Sequence, residues 1–239
     1  VMKRDKVKVE CNLKLKAISE NESGCIVSFE GKDDLNFEKV LVSIGRSPVS
    51  DRLGLESCKI NLDKGFIPVD AHYRTQQDNI FAVGDVINTP ALAHTASCEA
   101  KHAVEVIAGK NPIPIDYLTN PSAIYSYPEI ASIGLTEKKA QEQGLEFKVT
   151  KFPFMPMAKA KIEDSSEGFI KIISGKQYGE LLGVHIVGAR ATELISEFVL
   201  GKILEATVED MGLAIHPHPT VSETIQEAVH AAEDQAIHM

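Results

Sequence analysis

The chain has 239 residues, enough to bury a real core, and 44% of them are hydrophobic, which excludes a disordered segment. Its formal charge of -9 argues against nucleic acid or an anionic membrane surface as a partner, since both select clustered Lys and Arg. No apolar run approaches the roughly 18 residues of a membrane-spanning helix, and the opening "VMKRDKVKVE" lacks the apolar centre of a signal peptide, so a soluble cytoplasmic protein is expected.

The first elements read as strands. "KVKVECNLKLKAISE" and "GCIVSFEG" alternate apolar and polar residues on either side of a turn at Ser23 and Gly24. "FEKVLVSIG" is a nearly continuous apolar run that ends in glycine, which predicts a buried strand of a layered sheet. Residues 46–66 are irregular, and "FIPVDAHYRT" and "NIFAVGD" follow as short extended segments. A helix is predicted from Ala93 to Ala108, stopped by Gly109 and then Pro112.

After "NPIPIDY" the pattern changes. "IASIGLTEKKAQEQG" predicts a strand and then a helix, with Thr136 as its cap and Gly144 as its stop. "LEFKVTKFPF", "GFIKIISG" and "LLGVHIVG" predict three strands of an antiparallel meander. Two helices close the chain. One carries Leu194, Ile195, Phe198, Val199, Ile203 and Leu204 on an apolar stripe; the other, from about Val221, carries Ile225, Ala228, Val229 and Ala232. A domain boundary is expected near residue 112. The part before it has strands and one helix, but lacks the alternating strand-helix units that cover both faces of a parallel sheet.

Chemistry-bearing groups cluster in four places. In "AVGD", Asp85 is expected at the carboxyl edge of a strand, where it could accept hydrogen bonds from a polyol or ribose; a turn or cap aspartate is the plainer alternative. In "SIGRSP", Gly45 allows close backbone approach and Arg46 could meet a phosphate or carboxylate, or the stretch is only a strand-to-loop turn. "ALAH", Ala91, Leu92, Ala93 and His94, precedes a helix whose first N–H groups could bind a carbonyl or anion.

The fourth cluster is "HPHPTVSE". Thr220 and Glu223 match the spacing of a capping box. His216, His218 and Glu223 could instead ligate a metal, although Pro217 restricts how the rings converge. A third reading makes His218 a general base, with Glu223 fixing its tautomer and stabilising the imidazolium. The prolines would hold the ring in place before reaction. Four cysteines, Cys11, Cys25, Cys58 and Cys98, show neither metal-knuckle nor local redox spacing, so reduced thiols and no metal are expected.

Taken in order, "SIGRSP", "NIFAVGD", "ALAH", "YPEIASIGLTE" and "HPHPTVSE" resemble the carboxy-terminal half of the dihydrolipoamide dehydrogenases, within the flavoprotein disulfide reductases. The His-x-His form separates the last motif from the glutathione reductase pattern. The resemblance implies an α/β remnant of FAD- and NAD-binding, Rossmann-like domains, followed by an α+β interface (dimerisation) domain with an antiparallel sheet and helices. Residues 1–44 would be the end of the NAD-binding domain, residues 45–112 an FAD/central segment and residues 113–239 the dimerisation domain. It further implies that Asp85 bonds the ribityl chain of FAD, that Ala91 to His94 line the flavin, and that Gly45 lies against NAD. His218 would take a proton from dihydrolipoamide, and Glu223 would pair with it, in the service of the other subunit of a homodimer.

Members of that family also carry a glycine-rich FAD loop, a Cys-x4-Cys pair and a second glycine-rich loop, and none of these occurs here. The chain is therefore expected not to complete a turnover or retain FAD alone, and to expose apolar surface within residues 1–110. The implied partner is a lipoyl-bearing acyltransferase of a 2-oxo acid dehydrogenase complex or a glycine-cleavage carrier. The implied location is cytoplasm, or mitochondrial matrix in a eukaryote. A non-catalytic dimerisation or scaffold module and a glutathione-reductase-like enzyme are the competing readings.

Overall fold

The computed structural model describes Met2 and residues 4–238. Two compact units divide the chain, residues 1–47 and residues 48–239. In the first, β1 (Leu15–Asn21), β2 (Gly24–Phe29) and β3 (Lys32–Phe37) form an antiparallel sheet in that order. The turn between β1 and β2 is set by Asn21, whose side-chain oxygen accepts the Ser23 N–H at 2.9 Å. Val27 on β2 is buried, whereas every residue of β1 is exposed.

The buried strand expected from "FEKVLVSIG" does not form. Residues 38–47 have no strand pairing, and Leu41 and Ile44 are 91% and 87% exposed. Such a run becomes a strand only with hydrogen-bonded neighbours and cover on its faces. Among the described residues the sheet ends at β3, and no strand pairs with the run. The expected exposed apolar surface is here. The alternation before Leu15 likewise stays outside the sheet.

The second unit opens with loops around a small core of Ile60, Ile67, Tyr73, Ala82, Ile87 and Ala103. The extended segments expected there make isolated bridges, Asp63 to Phe66 and Arg74 to Phe81, instead of full strands. Asp85 accordingly lies on a single 3-10 turn, Gly84–Val86, and not at the end of a strand. Helix α1 (Ala93–Ile107) follows where expected, with Gly109 just beyond it at φ 76°.

The larger core lies farther along. Strands β4 (Ser122–Ile124), β5 (Glu129–Gly134), β6 (Phe147–Pro153), β7 (Phe169–Gly175) and β8 (Leu181–Gly188) form one antiparallel sheet in the order β4-β5-β8-β7-β6. The expected meander is β6-β7-β8. Ahead of it lies α2 (Glu137–Glu142), whose cap Thr136 accepts the Lys139 N–H, and between β6 and β7 lies the short α3 (Ala158–Ile162), which sequence periodicity did not signal.

Helix α4 (Ala191–Ile203) packs on β5 and β8, and α6 (Glu223–Ala232) packs on β6 and β7. Ile170, Ile172, Ile186, Phe154, Phe198 and Ile225 are wholly buried between them; each such side chain contributes about 1.5–3 kcal/mol on leaving water. The expected α4 stripe holds for Leu194, Ile195 and Phe198, but Ile203 and Leu204 are exposed at its end. Between these helices, α5 (Val208–Gly212) has a complete capping box from Thr207 and Asp210. Among the described residues no helix is long and apolar enough to cross a membrane.

Candidate active site

The segment from Leu213 to Ser222 leaves α5 and enters α6, and it carries the two histidines. His218 Nδ1 lies 2.9 Å from Glu223 Oε1. A carboxylate only accepts, so Nδ1 carries the proton and Nε2 is left as the basic nitrogen. The His218 side chain is 70% exposed, whereas that of Glu223 is 18% exposed. The imidazole therefore faces outward from a partner rooted at the start of α6.

Glu223 has a second task. Its Oε2 accepts the Thr220 backbone N–H at 2.8 Å. That is half of the capping box expected from sequence. The other half fails, because the Thr220 hydroxyl donates to Pro217 O at 2.7 Å and the helix cap is Ser222, without a side-chain cap bond. The capping and acid–base readings are thus compatible: one carboxylate does both. Burial pushes the Glu223 carboxyl up, but the Thr220 N–H and His218 outweigh it and hold it below its ordinary 4.5.

His216 turns elsewhere. Its Nε2 lies 3.0 Å from Glu197 Oε1 on α4, and its side chain is only 6% exposed. The hydrogen bond to Glu197 raises its pKa above 6.5 against the opposing effect of burial. The two rings thus take two different carboxylates. Among the described residues no three His, Cys, Asp or Glu side chains converge as a metal would require.

The second group of sequence-marked residues surrounds the start of α1. Asp85 is exposed on its 3-10 turn, and Ala91 and Leu92 are half-buried ahead of exposed Ala93 and His94. Leu92 caps α1 with no side-chain hydrogen bond, so side chains leave the first-turn N–H groups open. His94 Nε2 donates to Pro121 O at 2.8 Å, which turns that ring toward the following segment. Gly84 has φ 74°, and a Cβ there would meet Ala96 Cβ at 3.2 Å, so the Asp85 turn lies close against α1.

A residue that sequence reading passed over holds this turn. Glu99, 0% exposed on α1, accepts the Gly84 N–H through Oε2 and the Tyr117 hydroxyl through Oε1, each at 2.7 Å. Tyr117 also meets the Tyr73 hydroxyl at 3.1 Å. Burial, with Tyr73 and Glu99 beside it, drives the Tyr117 pKa far up. The signal was available: Glu99 shares the buried face of α1 with Thr95, His102, Ala103 and Val106, an odd place for a carboxylate. Glu197 gave no such signal, since its partner is far away in sequence.

Gly45 lies in the first unit, exposed, at φ 130° with open space where a Cβ would stand. The four cysteines are free, and none is fully buried.

Residues 120–229 match the family described as pyridine nucleotide-disulphide oxidoreductase, dimerisation domain, and residues 1–100 match pyridine nucleotide-disulphide oxidoreductase. A dihydrolipoyl dehydrogenase of Bacillus subtilis is 47% identical over 201 residues, covering 84% of this chain and 42% of the relative. The mitochondrial dihydrolipoyl dehydrogenase of Caenorhabditis elegans is 42% identical over 227 residues, covering 92% of this chain and 46% of the relative. Among solved structures, LpdA from Mycobacterium tuberculosis superposes with a TM-score of 0.87 at 25% identity, covering 96% of this chain and 50% of that one. The chain thus spans about half the length of the curated relatives it matches.

Proposed function

Because the chain belongs to the pyridine nucleotide-disulphide oxidoreductases, we propose that it supplies the acid–base pair and dimer interface of a dihydrolipoyl dehydrogenase. That enzyme oxidises protein-bound dihydrolipoamide to lipoamide and reduces NAD+. The observation that carries this reading is the exposed His218 ring paired through Nδ1 with the sheltered Glu223.

The chemistry follows from that pair. His218 Nε2 accepts a thiol proton from dihydrolipoamide, and Glu223 stabilises the resulting imidazolium while keeping the ring oriented. The thiolate so formed is the nucleophile that attacks a disulfide. Proton removal by a placed base contributes about 10²–10⁴-fold to such a step. Glu223 stays ionised through the cycle, because its backbone and imidazole bonds favour the anion.

FAD, when bound, supplies the two-electron relay between dithiol and NAD+. The residues present fit it: Asp85 offers an exposed carboxylate to a polyol chain, and the start of α1 offers N–H groups that no side chain caps. Gly84 keeps the two close, and Gly45 in the other unit is proposed to contact NAD. The domain division is proposed as residues 1–44 toward NAD, residues 45–112 toward FAD and residues 113–239 toward the dimer interface. The working form is a homodimer, and its macromolecular partner carries a lipoyl group, on an acyltransferase or a glycine-cleavage carrier. Its proposed location is the cytoplasm, or the mitochondrial matrix of a eukaryote, two relatives being named mitochondrial. A pure scaffold has no use for an exposed, carboxylate-paired imidazole.

The test is a fusion of this chain behind the FAD-binding half of the Bacillus subtilis relative. Dihydrolipoamide-dependent NAD+ reduction is expected. A folded, flavin-loaded fusion that reduces glutathione disulfide with a reduced pyridine nucleotide and does not oxidise dihydrolipoamide overturns the assignment.

A further inference from the structure

The segment that carries His218 is fastened on both sides of the ring. On the downstream side Glu223 takes both His218 and the Thr220 N–H. On the upstream side the anchor is His216, bonded at 3.0 Å to Glu197 on α4. The burial pattern there is inverted. Ile215 is 95% exposed, while the side chain of its neighbour His216 is only 6% exposed. If this segment were packed for apolar burial alone, Ile215 would point inward and the imidazole outward.

The two pairs use opposite ring nitrogens. His216 donates from Nε2 to Glu197, and His218 donates from Nδ1 to Glu223. Pro217 stands between them, with its φ fixed, so the orientation of one ring constrains the other. Glu197 comes from a helix packed on β5 and β8, whereas Glu223 comes from one packed on β6 and β7. The tip is thereby referenced to both halves of the sheet.

We propose that Glu197 and His216 form a positioning pair for His218, aiming its Nε2 by fixing the upstream end of the tip. The proposal rests on the reading of His218 as the base. His216 itself touches no reacting atom in this account. The carboxylates acting on its ring are Glu197 and, from α6, Glu223. Glu197 is the direct hydrogen-bond partner.

The experiment pairs a spectroscopic readout on this chain with kinetics in the fusion enzyme. In 15N-histidine NMR spectra, Glu197→Ala should average or broaden the His218 Nδ1–H signal, with little change in the circular dichroism of the domain. In the fusion, kcat should fall about tenfold or more with KM for dihydrolipoamide held, because a misplaced base lowers the rate without weakening binding. Glu197→Gln keeps an acceptor oxygen, so it should restore most of kcat while His216 titrates closer to 6.5. An unchanged His218 signal and kcat in Glu197→Ala overturn the proposal. If Glu197→Ala does not fold, His216→Asn is read the same way, and retention of the His218 signal there overturns it equally. Failure of the underlying reading looks different: His218→Gln would then keep full activity, whatever Glu197 does.

Discussion

One carboxylate ties together the His218 ring and the helix start: Glu223 holds His218 Nδ1 at 2.9 Å with one oxygen and the Thr220 N–H at 2.8 Å with the other. The structural and chemical tasks can therefore be separated by substitution. Glu223→Ala removes both bonds and leaves a backbone donor unpaired, which costs about 1–3 kcal/mol. His218→Gln leaves the Thr220 bond intact and removes only a largely exposed pairing, so it costs less than about 1 kcal/mol. Urea unfolding of the two variants should show this order; equal losses would mean that Glu223 acts on the fold through His218 alone.

The two histidine–carboxylate pairs give opposite pH dependences. Glu223 is held below its ordinary 4.5 in the fold, so its contribution is present above that value and lost as pH falls through the lowered one. His216 is held above its ordinary 6.5, so its contribution is full below that value and lost as pH rises through the raised one. The stability difference between the unmodified chain and Glu197→Gln should consequently shrink as pH climbs past 6.5. A difference that grows with pH in that range contradicts the pairing.

Glu99 is predicted to be the most sensitive site on α1. Glu99→Ala strands the Gly84 N–H and leaves the Tyr117 hydroxyl with Tyr73 as its remaining partner, at a cost of about 1–3 kcal/mol. Tyr117→Phe leaves one Glu99 oxygen without its donor and costs less. Ultraviolet titration of the folded chain offers a separate check. Burial raises both Tyr73 and Tyr117, so both should ionise later than an ordinary tyrosine, and the delay of Tyr73 should change in Tyr117→Phe.

Flavin binding supplies a further check. On the proposed reading Asp85 and the α1 start would meet the polyol and ring of FAD, but no glycine-rich loop for the pyrophosphate occurs in the sequence. The isolated chain should purify without visible flavin absorption and bind added FAD weakly. Tight binding would mean that the Asp85 and α1 surface suffices by itself.

Much of this was legible in the residues. Helix α1, the cap at Thr136 and the β6-β7-β8 meander follow from period and punctuation, because each is stabilised locally or by its sequence neighbours. The His218 and Glu223 pair was legible because they lie only five positions apart. The misread run at 37–45 shows the limit: its apolarity was real, but a strand needs partners, and local pattern does not report whether they are present. The capping box expected at Thr220 is only half formed, because its hydroxyl turns to Pro217 O, whereas Thr207 and Asp210 complete one that the sequence reading passed over. Glu197 was illegible for a similar reason, since its bond to His216 depends on how α4 and the tip meet in space.

The most direct measurement compares dihydrolipoamide-dependent NAD+ reduction by the fusion enzyme with His218 intact and with His218→Gln, at matched flavin content. The account predicts a loss of about 10²-fold or more, the contribution of a placed general base. Equal rates in the two proteins would contradict it.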